Sequence, residues 1–407
     1  DDRRLRLVLA GLLFAGFSMR MQVLAIGPLL PLLRADLDIP FAIGGLLVTV
    51  PVLCMGIVAV PAPRVAARFG ATRVISASLA TVALIGIARA LMPDALAIVV
   101  LTIPIGVAIG LGGALLPVVA KERAGWIPML ATGTYVTGFV AGSAISSGLA
   151  VPIAEALGSW RAPLVVFGLI AGASGVGWWL GMRGGAPSTS PARPRPPLPW
   201  RRPVAWLLVA VFASQSMLFF GLSTWLPSTY VETGLDTATA GSLVGLLIAV
   251  GLPATIVLSL VGDRLGSRRS WLVGASALTL IAIVGIGVAP EPAALWAILA
   301  GIGLGLLFPL ALALPLDVSN HPGETAGYVG LMLGVGYLLS GAAPVVLGAL
   351  RDAFHDFGGG LVILGGLAVL SLVAGAAAGP SQLARERARG GGEAATLAPG
   401  ATVEGRG

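Results

Sequence analysis

The strongest constraint on this chain is its series of apolar runs, each long enough to cross a bilayer. The first, Leu5 to Leu33, has Arg6 at its start and one charged residue, Arg20, deep inside it. A helix rising about 1.5 Å per residue needs roughly 20 apolar residues to span hydrocarbon. Pro31 and the polar stretch from Arg34 to Asp36 set the outer limit, so Arg20 falls near the middle. A guanidinium there costs about 2.5–3.5 kcal/mol on insertion scales, so it must face protein or water rather than lipid. Pairing to a neighbouring helix would satisfy that condition, as would contact with a transported solute. The run is too long for a cleavable signal peptide and is followed by others like it.

Twelve such runs are legible, roughly 7–33, 41–62, 74–92, 95–118, 128–150 and 161–182, then 204–227, 238–261, 271–289, 293–316, 325–349 and 360–379. Only 11% of the 407 residues are charged, against about a quarter in soluble domains. An all-α, multi-pass membrane protein follows. Residues 1–182 form a first six-helix half, 183–203 a Pro-, Ser- and Arg-rich linker, 204–380 a second half, and 381–407 a disordered tail. Twelve spans suffice for a self-contained monomer, with the lipid bilayer as its first partner.

Lys and Arg give the orientation. With the N-terminus inside, 20 of the 25 fall in inner loops and termini, and only Arg34, Arg161 and Arg351 fall outside. That bias places both termini in the cytoplasm. It also accounts for the basic charge without nucleic acid. The lone cysteine, Cys54, excludes a cysteine metal cluster and an internal disulfide. No metal or other cofactor is implied.

The halves repeat. Arg68-Phe69-Gly70 after the second run and Arg264-Leu265-Gly266 after the eighth lie 196 residues apart, and the same offset maps Leu30-Pro31 onto Leu226-Pro227. Parallel six-helix repeats are a transporter architecture with the substrate between the halves.

At this point the chain resembles the major facilitator superfamily. Gly262-Asp263-Arg264-Leu265-Gly266-Ser267-Arg268-Arg269 is similar to its loop signature, and the first-half copy is degenerate, with Ala67 in the acidic position. Met19-Arg20, Gly27 to Leu33, Ala88-Arg89, Trp225-Leu226-Pro227, Gly303-Leu304-Gly305 and Phe308-Pro309-Leu310 resemble the cyanate/nitroimidazole transporter (CynX/NimT-type) branch. The resemblance implies two pseudo-symmetric six-helix bundles around a cavity lined by spans 1, 2, 4, 5, 7, 8, 10 and 11. Arg20 would then point at the solute, and Arg68, Asp263, Arg264 and Arg268 would belong to a gate.

A single buried cation suits a monovalent anion or a polar solute with anion-like oxygens, because the guanidinium fork matches such groups and stays charged. The repeat offset sets Arg20 opposite Ser216, beside Gln215, so the facing wall is neutral and hydrogen-bonding. Phe219 offers an aromatic face. Tyr135 and Tyr337 are further candidates on cavity-lining spans, with Thr49 a weaker one. Each also has a plain packing explanation. Arg89, four residues before Pro93, is expected to snorkel to headgroups or serve an outer gate.

All 18 acidic residues fall in loops, at span ends or in the termini. Proton relays use embedded Asp, Glu or His. The expected function is therefore alternating-access transport of a small polar or anionic solute, by uniport, exchange or co-transport of a proton carried by the solute. A proton-coupled multidrug exporter is the alternative, and it would want an embedded acid. A membrane enzyme or sensor would need a metal cluster, a nucleophile–base pair or a soluble domain, and none is visible.

Overall fold

The computed structural model describes residues 2–59, 61–124, 128–182, 198–261, 268–320 and 322–379. Twelve helical segments among these are long and apolar enough to cross a membrane. Ten are single helices: α3 (Phe41–Ala59), α5 (Ala71–Ala90), α6 (Ala95–Ala124), α7 (Pro128–Ala156), α8 (Arg161–Met182), α9 (Pro203–Glu232), α10 (Thr237–Val261), α11 (Arg268–Val288), α12 (Ala293–Val318) and α15 (Gly358–Ala377). A short helix, α4 (Ala62–Phe69), joins spans 2 and 3. Most of the expected linker, and the tail from 380, lie outside the described residues.

The other two spans are broken, and proline explains both breaks. Span 1 is α1 (Asp2–Leu24) followed by α2 (Ile26–Leu37). Pro28 has no N–H for the Leu24 carbonyl, and its ring crowds the turn four residues back. Span 11 is α13 (Pro322–Ser340) followed by α14 (Ala342–Phe354), with Pro344 four residues after Ser340. The apolar pattern alone does not reveal these breaks, because both sides of each are equally oily. Spans 1, 7 and 11 also run several residues past the expected ends, since long membrane helices continue into the interface.

The up-and-down order sets both ends of each half on one face of the bundle. On the opposite face the halves close together. α2 packs on α9, where a side chain at Gly27 would collide with the Ser223 carbonyl. α14 packs on α3, where the Val345 N–H donates to Thr49 Oγ1 at 3.2 Å. Membrane interfaces favour small residues because helix association there depends on close backbone approach. Glycine at 27 is thus a steric requirement of this closed face.

At the same face Phe41, the first residue of α3, inserts into the other half. Its ring lies 5.6 Å from Trp225 and 5.5 Å from Phe357, centroid to centroid. Arg34 and Arg351 stack over the ring at 3.1 and 4.7 Å. Arg351 is held in turn by Glu232 at 2.7 Å.

Candidate functional site

Between the halves lies a cavity of about 340 Å³, walled mainly by apolar side chains. Arg20 enters it from α1, Tyr135 and Phe139 from α7, Gln215, Ser216 and Phe219 from α9, and Tyr337 from α13. The repeat-based juxtaposition of Arg20 with Gln215 and Ser216 is therefore present as shared lining of one space. Tyr135, Phe219 and Tyr337 line it too.

Among the described residues the cavity's one charge is the Arg20 guanidinium, and its other polar side chains are hydroxyls and the Gln215 amide. Arg20 is half-buried. Its Cζ stands 5.4 Å from the centre of the Phe139 ring. No ion pair or hydrogen bond holds it among the described residues. Ser216 Oγ donates to Gln215 Oε1 at 3.1 Å, and both residues line the cavity. Tyr337 packs edge-on against Phe212 at 5.2 Å, so its ring position is fixed by an aromatic contact. Ser143 Oγ is engaged with the Phe139 carbonyl at 2.7 Å. Among the described residues no acidic one lines the cavity. A charged donor among apolar walls attracts an acceptor more strongly than it would in bulk water.

Phe139 was not among the candidates, although the i, i+4 pair Tyr135 and Phe139 on one helix face signals a shared aromatic wall. The rings meet edge to face at 5.9 Å. A ring face beneath a guanidinium is favourable, and more so when desolvated.

Other candidates lie elsewhere. Thr49 is not in the cavity; it accepts the Val345 N–H and ties span 2 to span 11. Arg89 does not snorkel. It is fully buried at 0% exposure. Its Nη2 donates to the Gln22 carbonyl at 2.9 Å and to Gln22 Oε1 at 2.8 Å. The expectation rested on distance from Pro93 along the chain, whereas the helix face points Arg89 into its own half. Arg68 is exposed, with its guanidinium 5.3 Å from the Phe69 ring. Arg268 pairs with Asp317 at 3.3 Å, joining α11 to α12. Asp263 and Arg264 lie outside the described residues. No group of His, Cys, Asp and Glu suited to a metal occurs among the described residues.

Comparison with known proteins agrees with this architecture. A family model described as Major Facilitator Superfamily matches residues 12–341. The cyanate transport protein CynX of Escherichia coli (strain K12) is 29% identical over 347 residues, covering 85% of this chain and 90% of that one. The 2-nitroimidazole transporter of the same organism is 29% identical over 369 residues, covering 90% and 93%. Among solved structures, a bacterial homolog of the human lysosomal transporter Spinster, in an inward-facing and occupied conformation, superposes with a TM-score of 0.73. It is 15% identical and covers 97% of this chain and 96% of that one, a likeness of fold.

Proposed function

Because this chain belongs to the major facilitator superfamily, we propose that it carries a small polar or anionic solute by alternating access, with Arg20 as the group that holds the solute between the halves. The observation that carries this reading is the lone guanidinium, lodged in an apolar cavity with no carboxylate beside it. An ionised group at such depth has a structural role when it is paired; unpaired and facing a cavity, it is a ligand for something that enters.

The lining, whose one charge is a guanidinium and whose other polar side chains are hydroxyls and an amide, narrows the solute. Cations and donor-rich molecules meet repulsion or unpaired N–H groups. A solute with converging acceptor atoms and a single negative charge, or strong local dipoles, is complementary. The names of two relatives, cyanate and 2-nitroimidazole, are both of this kind: small, linear or planar, with acceptor atoms at an edge. The aromatic wall of Tyr135, Phe139 and Phe219 suits a flat solute.

With both termini in the cytoplasm, as the Lys and Arg distribution implies, the closed face at which Phe41 packs is the outer one. The cavity is then accessible from the cytoplasm. Arg68 and the Arg268–Asp317 pair stand at the other face and would make or break contacts there when the halves rock. The absence of acid from the lining favours uniport, exchange, or entry of the solute with its own proton over a relay within the protein. The same absence weighs against the multidrug-exporter alternative.

The test is thermal stabilisation of the purified protein by cyanate, 2-nitroimidazole, small carboxylates and neutral controls, repeated with Arg20→Ala. A ligand of the folded state raises apparent stability by mass action. Stabilisation by one solute that disappears in the variant supports the reading. Stabilisation that survives the variant removes Arg20 from the site.

A further inference from the structure

Span 1 presents Arg20 to the cavity on one side and a set of tethers on the other. Ser18 and Gln22 are one helical turn apart and share a face, while Arg20, two residues from each, points away from it. Ser18 Oγ donates to Ser174 Oγ at 2.7 Å, and Gln22 Nε2 donates to the Leu164 carbonyl at 2.8 Å. Both anchors lie on α8. The third tether is Arg89 on α5, which grips both the side-chain and backbone oxygens of Gln22. Its Nη1 reaches Thr102 Oγ1 on α6 at 3.3 Å.

Arg89 is a fully buried cation with no ion pair among the described residues. What compensates it is the break in span 1. The turn at Ala25 ends α1, and carbonyls near that end carry partial negative charge and need partners. Arg89 takes the carbonyl of Gln22, and Ser147 Oγ takes that of Leu24 at 3.0 Å. Space for the grip is provided at position 86, where a Cβ would stand 2.6 Å from Gln22 Nε2. A cation, a glycine and a helix break thus converge on one glutamine, one turn from the break.

We propose that Arg89 is the positioning residue for Arg20: by clamping the back of α1 at its break, it fixes the rotation of the helix and so the aim of the guanidinium into the cavity. This rests on the reading of Arg20 as the solute's cation. Arg89 touches neither cavity nor solute; it acts through Gln22. A peripheral span thereby controls the geometry of the central site.

The test reads that aim without any solute, so it stands apart from the solute reading. In a Cys54→Ser background, Arg20→Cys is labelled in the purified full chain by a cationic methanethiosulfonate. Val136→Cys, on the cavity wall of the same half, is the control. Arg89→Lys keeps the charge and loses the fork; Gly86→Ala displaces Gln22 and keeps Arg89, and serves where the first variant fails to fold. The expected result is a severalfold fall in labelling at position 20 with Arg89→Lys or Gly86→Ala, and an unchanged rate at position 136. An unchanged rate at position 20 in a folded variant overturns the proposal. An equal change at both positions overturns it as well, because that is general loosening of the half.

Discussion

The carboxylate of Asp352, at the end of α14, accepts the backbone N–H groups of Phe41 and Ala42, the first residues of α3 in the other half, at 2.9 and 2.8 Å. The first N–H groups of a helix have no partner within it. They are normally capped by a residue just upstream in sequence. Here the cap comes from the opposite half, so the closed face is fastened by a contact that must break whenever the halves part there. Charge-assisted hydrogen bonds of this type contribute about 1.5–3 kcal/mol.

Asp352→Asn is therefore expected to release the closed face. The amide retains one acceptor and loses the charge, and a loss of about 1.4 kcal/mol shifts the open fraction roughly tenfold. Spin labels placed at Leu37 and Phe354, on the two sides of the contact, should show a longer-distance population that grows in the variant. An unchanged distance distribution would mean that the remaining contacts of this face, the aromatic packing of Phe41 among them, hold it closed without the carboxylate.

Gly27→Ala addresses the same closure by sterics instead of charge. Its added methyl meets the Ser223 carbonyl, and relieving a backbone overlap of this sort costs about 1–3 kcal/mol. The cost falls only on the closed arrangement. The expected outcome is slower transport with normal insertion in the membrane, together with the same distance shift as Asp352→Asn. A parent-like distance distribution and transport rate would show that α2 and α9 have room to separate.

How much of this was legible in the sequence differs between residues for physical reasons. Arg20 stood out because a charge in an apolar run has few acceptable environments. Gln215 and Ser216 followed from an internal repeat, which carries three-dimensional symmetry in one-dimensional spacing. Arg89 was visible as a charge, but its direction was not, because a helix rotates a side chain by 100° per residue and no apolar stripe marks the inner face of a span that is oily all round. The cap of Asp352 on Phe41 left no local trace. Its two members are more than three hundred residues apart, and the usual signal for a cap is a neighbour in the chain.

Arg20 and Arg89 should respond oppositely in stability. Among the described residues Arg20 makes no ion pair or hydrogen bond, so Arg20→Ala removes a costly charge and leaves the unliganded melting temperature unchanged or higher. Arg89 satisfies the Gln22 oxygens and Thr102. Arg89→Ala strands those buried acceptors, each at about 1–3 kcal/mol, and the melting temperature should fall by several degrees. Scanning calorimetry of both variants without solute checks the contrast. A large loss for Arg20→Ala would make that residue structural.

Acid should act on the fold through loop carboxylates. Asp236 accepts the Thr239 N–H at 2.8 Å at the start of α10. Hydrogen bonds from Thr239 hold its carboxyl below the usual carboxylate range. A depressed folded-state pKa means that its stabilisation is fully present above the unfolded value, near 3.9, and is lost as pH falls through the lower folded value. The melting temperatures of the parent and Asp236→Ala should therefore differ at neutral pH and converge only in strong acid. Over the range from about pH 6 to 8, where ordinary carboxylates stay ionised, no acid in the cavity lining is available to titrate. Transport of a permanently charged monovalent anion into liposomes should be flat across that window at fixed membrane potential. A steep pH dependence there would require a proton site on the transport path and would restore the proton-coupled alternative.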